Sequence, residues 1–321
     1  MDIGMVATNF TNPALLFFAL GILASRIRSD LEIPAQIAKF LSLYLLFSIG
    51  FKGGQELAGN PWSAEIGWSL FLGAAMASLV PVTSFFLLRR RLPAADSAAI
   101  AAAYGSVSAV TFVAAVSFLE SAGLAFGGHM VAVMALMEFP AIVVGILLLR
   151  IFDRSPSEPG GSGSFLDVLR HSLTNGSVVL LVGSLVIGMV SDKAMAAGIK
   201  PFTTDIFKGF LALFLLEMGL VCGRSLGSLV ARGWFPIAFA VVAPALHGMF
   251  AAWISTFLLV EPGNRFLFAV LSASASYIAV PAAMRLAAPK ADPGLYVPMA
   301  LAITFPFNLA LGFPLYFRLV Q

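Results

Sequence analysis

Ten long apolar runs, separated by short charged segments, decide what this chain can fold into. A helix needs roughly 20 mostly apolar residues to cross a bilayer, and most of the runs approach or exceed that length. We therefore predict an all-α integral membrane protein with ten transmembrane helices. The runs lie at about residues 12–26, 34–54, 64–88, 96–119, 129–151, 175–191, 203–223, 233–258, 265–287 and 295–318.

The composition agrees with a membrane protein and argues against several other classes. The chain is 60% hydrophobic and only 11% charged, and its net charge of +3 is too small to indicate a nucleic-acid partner. The single cysteine, Cys222, excludes an intrachain disulfide and a cysteine-based metal site. The sequence contains no HExxH motif, no phosphate-binding loop and no nucleophile paired with a base. We predict that the protein is not an enzyme and has no covalent cofactor.

The chain divides into two halves that resemble each other. A Gly/Ser-rich linker at 153–173 separates a first five-helix repeat, 1–152, from a second, 174–321. An odd number of spans in each half makes the second repeat run inverted through the membrane, as in many secondary transporters. The repeat is visible at a constant offset of 169 residues, where Lys39, Gly50, Gly54 and Leu57 correspond to Lys208, Gly219, Gly223 and Leu226.

The lysines and arginines predict the orientation. Cytoplasmic loops are enriched in these residues, and 13 of the 19 fall on one side if the N-terminus lies outside. We expect both termini to face outward, with the linker in the cytoplasm. Arg89, Arg90 and Arg91 are the strongest single marker of the inner side. We predict a multi-pass protein of the plasma (inner) membrane.

Two matching hydroxyl-rich stretches are the main candidates for a binding site. They run from Tyr104 to Thr111 and from Ser272 to Pro281, inside the fourth and ninth apolar runs. Serines two residues apart cannot share one face of a helix, so we predict that both helices are broken here. Broken helices supply backbone and hydroxyl oxygens, which suit a small cation such as sodium. Close helix packing by small residues is the alternative.

The fifth and tenth helices add polar groups next to prolines. Glu138 precedes Pro140, and Thr304 and Asn308 flank Pro306. An acid at membrane depth is a functional candidate, and three roles are open to Glu138: a sodium ligand, a proton carrier, or a hydrogen-bonded packing group. No lysine or arginine lies in the centre of a predicted span. An anionic substrate would therefore be small and weakly charged, held by helix N-termini, hydroxyls and a co-bound cation.

Several segments resemble those of the bacterial sodium-dependent bicarbonate transporter family. The segments are DLEIP at 30–34, LSLYLL at 41–46, IGFKGG at 49–54, AYGSVSAVTF at 103–112 and ME with PAI at 137–142. The resemblance implies a homotrimer that couples sodium entry to bicarbonate uptake, for inorganic carbon uptake by the cell. It also implies an elevator mechanism and a cytoplasmic PII-like regulatory protein as a partner.

The resemblance places substrate and ion binding at the broken helices and beside the fifth and tenth. The residues that it assigns to the site are Gly105, Ser106, Ser108, Thr111, Glu138, Ser274, Ser276, Thr304 and Asn308. The sodium candidates among them are Ser106, Ser108, Glu138 and Ser274.

The sequence predicts sodium–bicarbonate symport into the cell by alternating access. A sodium/proton or other cation exchanger that uses Glu138 is one alternative. A membrane scaffold or receptor for a cytoplasmic regulator is another.

Overall fold

In the computed structural model, the described residues are 13–59, 62–153, 170 and 174–321. Their secondary structure is helical, and no β-strand occurs among them. The predicted linker at 153–173 lies almost wholly outside the described residues. In the first half the helices are α1 (Pro13–Arg26), α2 (Ala35–Gly59), α3 (Ala64–Leu88), α4 (Ala94–Gly105), α5 (Ala109–Ala122) and α6 (His129–Phe152).

The second half contains both α-helices and π-helical turns. They are α7 (Gly176–Val190), the short α8 (Lys193–Ala197), a π turn (Pro201–Asp205), α9 (Phe207–Val230), α10 (Trp234–Ser255), α11 (Pro262–Ser272), α12 (Ala279–Ala287) and the last segment α13 (Pro293–Val320). Within α13 the chain turns π-helical at Met299–Thr304 and again at Asn308–Gly312.

Several helices begin at a side chain that accepts a backbone N–H. Ser63, Asn175 and Asp292 cap α3, α7 and α13 in this way. Such caps satisfy donors that have no partner inside the helix. Gly123 ends α5 in the left-handed conformation that glycine adopts without strain. Local sequence thus sets these helix ends.

Helical segments occupy all ten of the predicted ranges, and seven of them are long and apolar enough to cross a membrane. Those seven include α4 with α5, taken together as Ala94–Ala122. The apolar helices α1 and α7 are shorter, and the range 265–287 is formed by the short α11 and α12. The protein is therefore a multi-pass helical membrane protein, while the crossing of all ten segments stays a prediction.

The helices pack into two groups. The gate group consists of α1, α2, α7 and α9, in which α1 lies mainly against α9 and α2 against α7. The core group consists of α3 to α6 and α10 to α13, where α3 packs on α4 and α6, and α10 packs on α11. Each group contains helices from both halves of the chain.

Glycines bring the helices of the gate group into backbone contact. A Cβ on Gly21 would collide with the carbonyl of Leu216, and one on Gly219 with the carbonyl of Phe18. Gly188 meets the carbonyl of Phe51 in the same manner. Close approach through small residues is the usual way for helices to associate in lipid. These contacts make the two pairs of the gate group closely packed.

Candidate binding site

The two hydroxyl-rich stretches interrupt their helices and touch each other. The chain is unwound between α4 and α5 at residues 106–108, and between α11 and α12 at 273–278. The backbone N–H of Ser108 donates to Ser274 Oγ over 2.9 Å. The N–H of Ser276 donates to the carbonyl of Ala103 over 2.8 Å. The breaks predicted from the serine spacing therefore meet inside the core group.

The serines also bond to the helices on either side of the breaks. Ser108 Oγ accepts the N–H of Thr111 at 3.1 Å and so caps α5. Ser274 Oγ donates to the carbonyl of Leu271 at 2.8 Å. Ser276 Oγ accepts the N–H of Val280, at 3.4 Å. Because each serine satisfies backbone groups left over at a helix end, the breaks are stable without closing the helices.

A small cavity lies beside the point where the two breaks meet, which we call the crossing. Its volume of about 20 Å³ is enough for one water molecule or one small ion. One wall comes from the gate group and the other from the two breaks and α6. The lining residues are Ser42, Leu46, Val107, Ser108, Ala109, Val110, Glu138, Ser177, Leu181, Ser276, Tyr277, Ile278 and Ala279.

Glu138 contributes the carboxyl group of this cavity. Its Oε2 atom is buried and has no hydrogen-bond partner among the described residues. A buried oxygen without a partner is costly and calls for an explanation. The nearby oxygens of Ser108 and Ser276 are hard ligands, as a carboxylate is. The cavity can therefore hold a small cation through oxygen ligands.

Two helix N-termini border the same cavity. Ala109 and Ala279 are the first residues of α5 and α12, and both line it. The first turn of a helix carries a partial positive charge, which favours an anion, although here the Thr111 and Val280 N–H groups are already bound by Ser108 and Ser276. No lysine or arginine lines the cavity. The site thus combines anion-binding backbone with cation-binding oxygen atoms.

Gly105 and Ser106 are close to the break but do not line the cavity. Gly105 packs on Pro81 of α3 so closely that a Cβ would collide with the proline ring. Ser106 Oγ is buried and has no hydrogen-bond partner among the described residues. Gly105 therefore allows α3 and α4 to approach, and Ser106 retains an unused hydroxyl.

Thr304 and Asn308 form hydrogen bonds with other protein groups. The hydroxyl of Tyr104 lies 2.7 Å from Thr304 Oγ1, which donates to the carbonyl of Ala240, also at 2.7 Å. That carbonyl is free because Pro244, four residues later in α10, has no N–H. Asn308 Nδ2 donates to the carbonyl of Ala273 at 2.7 Å. Neither residue lines the cavity.

Thr111 also lies outside the cavity lining, so the structure brings only part of the predicted set together. Ser108, Ser276 and Glu138 line the cavity, and Ser274 contacts the backbone of Ser108. Two residues that were not predicted from the sequence, Ser42 and Ser177, line the cavity from the gate group. Each is an isolated hydroxyl in an apolar helix, and no spacing relates it to the hydroxyl-rich stretches.

The described residues contain no group of three or more His, Cys, Asp or Glu side chains that could hold a metal ion. A cation at this site would be held by one carboxyl group with hydroxyl and carbonyl oxygens. Such a weak, mostly neutral ligand set is typical of monovalent ions that must also be released.

Long apolar helices, two of them broken where they meet, define a membrane protein of the transporter type. Comparison with protein families agrees: residues 13–321 match the Na+-dependent bicarbonate transporter superfamily. The chain belongs to this superfamily, and the resemblance seen in its sequence is confirmed. No curated protein matches the chain. Membership supports sodium and bicarbonate as the transported species.

Proposed function

We propose that the protein is a sodium-coupled bicarbonate symporter that carries bicarbonate into the cell. The observation that carries this proposal is the cavity beside the crossing of the two breaks. There, the buried carboxyl of Glu138, the hydroxyls of Ser108 and Ser276, and the N-termini of α5 and α12 converge.

Sodium binds, in this proposal, to the oxygen atoms around Glu138. Glu138 and Ser108 line the cavity, and Ser274 adjoins Ser108. Ser106, the fourth sodium candidate, carries a hydroxyl without a partner among the described residues and lies two residues before Ser108 in the same unwound segment. A carboxylate paired with sodium no longer bears an uncompensated buried charge.

Bicarbonate binds next to sodium, against the helix N-termini and the Ser276 hydroxyl, in a conformation whose cavity is wider than the one of about 20 Å³ seen here, which holds one small ion. Because no basic side chain lines the cavity, the bound sodium supplies most of the positive charge that the anion meets. Each ion then raises the affinity for the other by the same factor. This reciprocal effect is the physical basis of the coupling.

The position of the cavity between the two groups supports alternating access. Ser42 and Ser177 belong to the gate group, whereas Ser108 and Ser276 belong to the core group. We propose an elevator-like movement, in which the core group slides along the gate group and carries the site across the membrane. The glycine contacts within the gate group support its role as the fixed part.

The full topology is part of the proposal. It comprises ten spans in two inverted repeats, with both termini outside the plasma (inner) membrane. The pairing of α1 with α9 and of α2 with α7 supports the repeat. The 169-residue offset makes α7 the counterpart of α1 and α9 the counterpart of α2, so replacing each helix by its counterpart turns one pairing into the other. A homotrimer and a cytoplasmic PII-like regulator are proposed from the family resemblance alone.

One observation favours a second candidate, a sodium/proton exchanger. The unpartnered carboxyl of Glu138 is able to carry a proton as well as to bind sodium. An exchanger would move protons against sodium without bicarbonate.

Uptake of labelled bicarbonate into proteoliposomes tests the proposal. We expect uptake with an inward sodium gradient, little with an equal potassium gradient, and a loss of about tenfold or more in Ser108→Ala or Glu138→Gln, the range for lost metal-site groups. Ser78→Ala is the matched control, because Ser78 bonds only to the Ala74 carbonyl of its own helix. Protein-free liposomes correct for leakage of carbon dioxide.

Uptake that does not depend on sodium would disprove the symport. If sodium drives proton movement without bicarbonate, and Glu138→Gln abolishes that movement, the protein is a sodium/proton exchanger and not a symporter.

A further inference from the structure

A second and larger cavity opens between α3 and α10, away from the crossing. It has a volume of about 560 Å³, within the size range of ligand pockets. We call it the basic groove. Its lining residues are Thr83, Ser84, Leu87, Arg90, Arg91, Trp234, Phe235, Ala238, Phe239, Val242, Ala243, Leu246 and His247.

One end of the basic groove is cationic. Arg90 and Arg91 directly follow α3, and the guanidinium of Arg91 lies 5.1 Å from the ring centre of Trp234. None of the ion pairs in the described parts of the chain involves either arginine. Trp and Arg are enriched where helices leave the hydrocarbon layer. This end therefore lies at the level of lipid headgroups.

The rest of the groove is apolar and open to the bilayer. Leu87, Val242 and Leu246 line it and are about half exposed, at 45%, 53% and 56%. Their surface can accommodate a hydrocarbon chain. The groove is thus amphipathic along its length.

Two polar atoms in the wall have no protein partner. Ser84 Oγ and His247 Nδ1 are buried and form no hydrogen bond with the described residues, and Ser84 is only 1% exposed. The other nitrogen of His247 faces Thr83 Oγ1 at 3.3 Å. Unsatisfied polar groups beside a large cavity point to a ligand with polar oxygens.

We propose that the basic groove is a binding site for an anionic phospholipid. The phosphate lies at Arg90 and Arg91, the ester oxygens reach Ser84 and His247, and one acyl chain covers the apolar part. Basic pockets between membrane helices on the cytoplasmic side are suited to such headgroups. The lipid comes from the inner leaflet, according to the orientation proposed above. The site does not depend on which ion the protein transports.

Native mass spectrometry of the purified protein tests the lipid site. The probes are phosphatidylglycerol and phosphatidylcholine with identical chains. We expect the wild type to retain phosphatidylglycerol selectively, and Arg90→Gln/Arg91→Gln to lower that retention about thirtyfold, from the contribution of two basic residues near a headgroup. Ser84→Ala should lower it about fivefold, through one lost hydrogen bond.

Two further variants separate this site from general lipid binding. Arg26→Gln/Arg28→Gln removes the same charge at exposed positions of the same predicted face, and should retain the lipid as the wild type does. Leu246→Trp changes an exposed residue and should exclude the acyl chain, even if the arginine variant is poorly produced.

Equal retention of the two lipids, or equal retention by the arginine variant and its control, would overturn the proposal. Displacement of phosphatidylglycerol by inorganic phosphate at equal concentration would also overturn it, since the site would then bind a soluble anion.

Discussion

The two broken helices differ in how their unwound segments are supported. The break between α4 and α5 spans three residues, 106–108, whereas that between α11 and α12 spans six, 273–278. Asn308 supports the longer break by binding the carbonyl of Ala273, and Tyr316 in turn donates to Asn308 Oδ1 at 3.3 Å. The longer break is therefore held by the last helical segment.

The two halves contribute different polar side chains to this region. Glu138 of the first half lines the cavity together with residues of both breaks, whereas Asn308 of the second half binds the longer break. Glu138 Oε2 and, within the shorter break, Ser106 Oγ have no hydrogen-bond partners in the described part of the chain. Ser272 Oγ, just before the longer break, also lacks a hydrogen-bond partner among the described residues. Among the described residues that line the cavity, Glu138 alone carries a carboxyl group. The comparison indicates that Asn308 and Tyr316 of the second half support the crossing, while the carboxyl group in the cavity comes from the first half.

The largest effect on stability is expected for Asn308→Leu. It leaves the Ala273 carbonyl without its donor, and an orphaned buried group costs roughly 1–3 kcal/mol. It also removes one of the two acceptors of the Tyr316 hydroxyl, whose other acceptor is the Pro244 carbonyl at 3.4 Å. Thermal unfolding in detergent should show a clear decrease in Tm compared with wild type. If the decrease in Tm is no larger than that of the control Ser78→Ala, the longer break does not need Asn308.

A comparable decrease is expected for Thr304→Val, which keeps the shape of the side chain. The Ala240 carbonyl loses its donor and Tyr104 its acceptor, and each orphaned buried group costs about 1–3 kcal/mol. Tyr104→Phe removes only one of these bonds and should have about half the effect on Tm. If both variants match wild type, the link between α4 and α10 is unimportant for stability.

The ion pair at the end of α5 is expected to contribute less. Lys52 Nζ lies 3.0 Å from Glu120 Oε1. This ion pair joins α2, in the gate group, to α5, the helix that follows the shorter break. Both side chains are about one-third exposed, so Lys52→Gln should change stability by less than about 1 kcal/mol. Raising the salt concentration should remove the difference between variant and wild type. A difference that persists at high salt would contradict a surface ion pair.

The smallest change in Tm is expected for Ser106→Ala. The hydroxyl is buried and has no hydrogen bond to lose, so its removal should not lower the Tm. The sodium concentration for half-maximal uptake then decides its role. An increase at unchanged Tm would add Ser106 to the sodium site, whereas a lower Tm would show that its hydroxyl has a partner in the folded protein.

The sequence was informative where a local rule applies. Apolar length predicted the helical segments, and serines at alternate positions predicted both breaks, because a helix cannot place them on one face. Glu138 stood out as an acid inside an apolar run. These features depend on residues close together in the chain.

Contacts between distant residues could not be predicted in this way. Ser42 and Ser177 reach the cavity only because of how the gate group lies against the core group. The role of Thr304 depends on a carbonyl freed by Pro244 in another helix. Neither position has a sequence feature that identifies its partner.

The glycine contacts of the gate group have a consequence for how the protein is made. Gly21 of α1 is in backbone contact with α9, and Gly54 of α2 is in backbone contact with α7. Each of these first-half helices therefore packs against a helix that is synthesised later. The first half alone, 1–152, lacks both partners and leaves these grooved surfaces open to lipid. We therefore expect the two halves, produced as separate chains, to become stable only when they are produced together in one membrane.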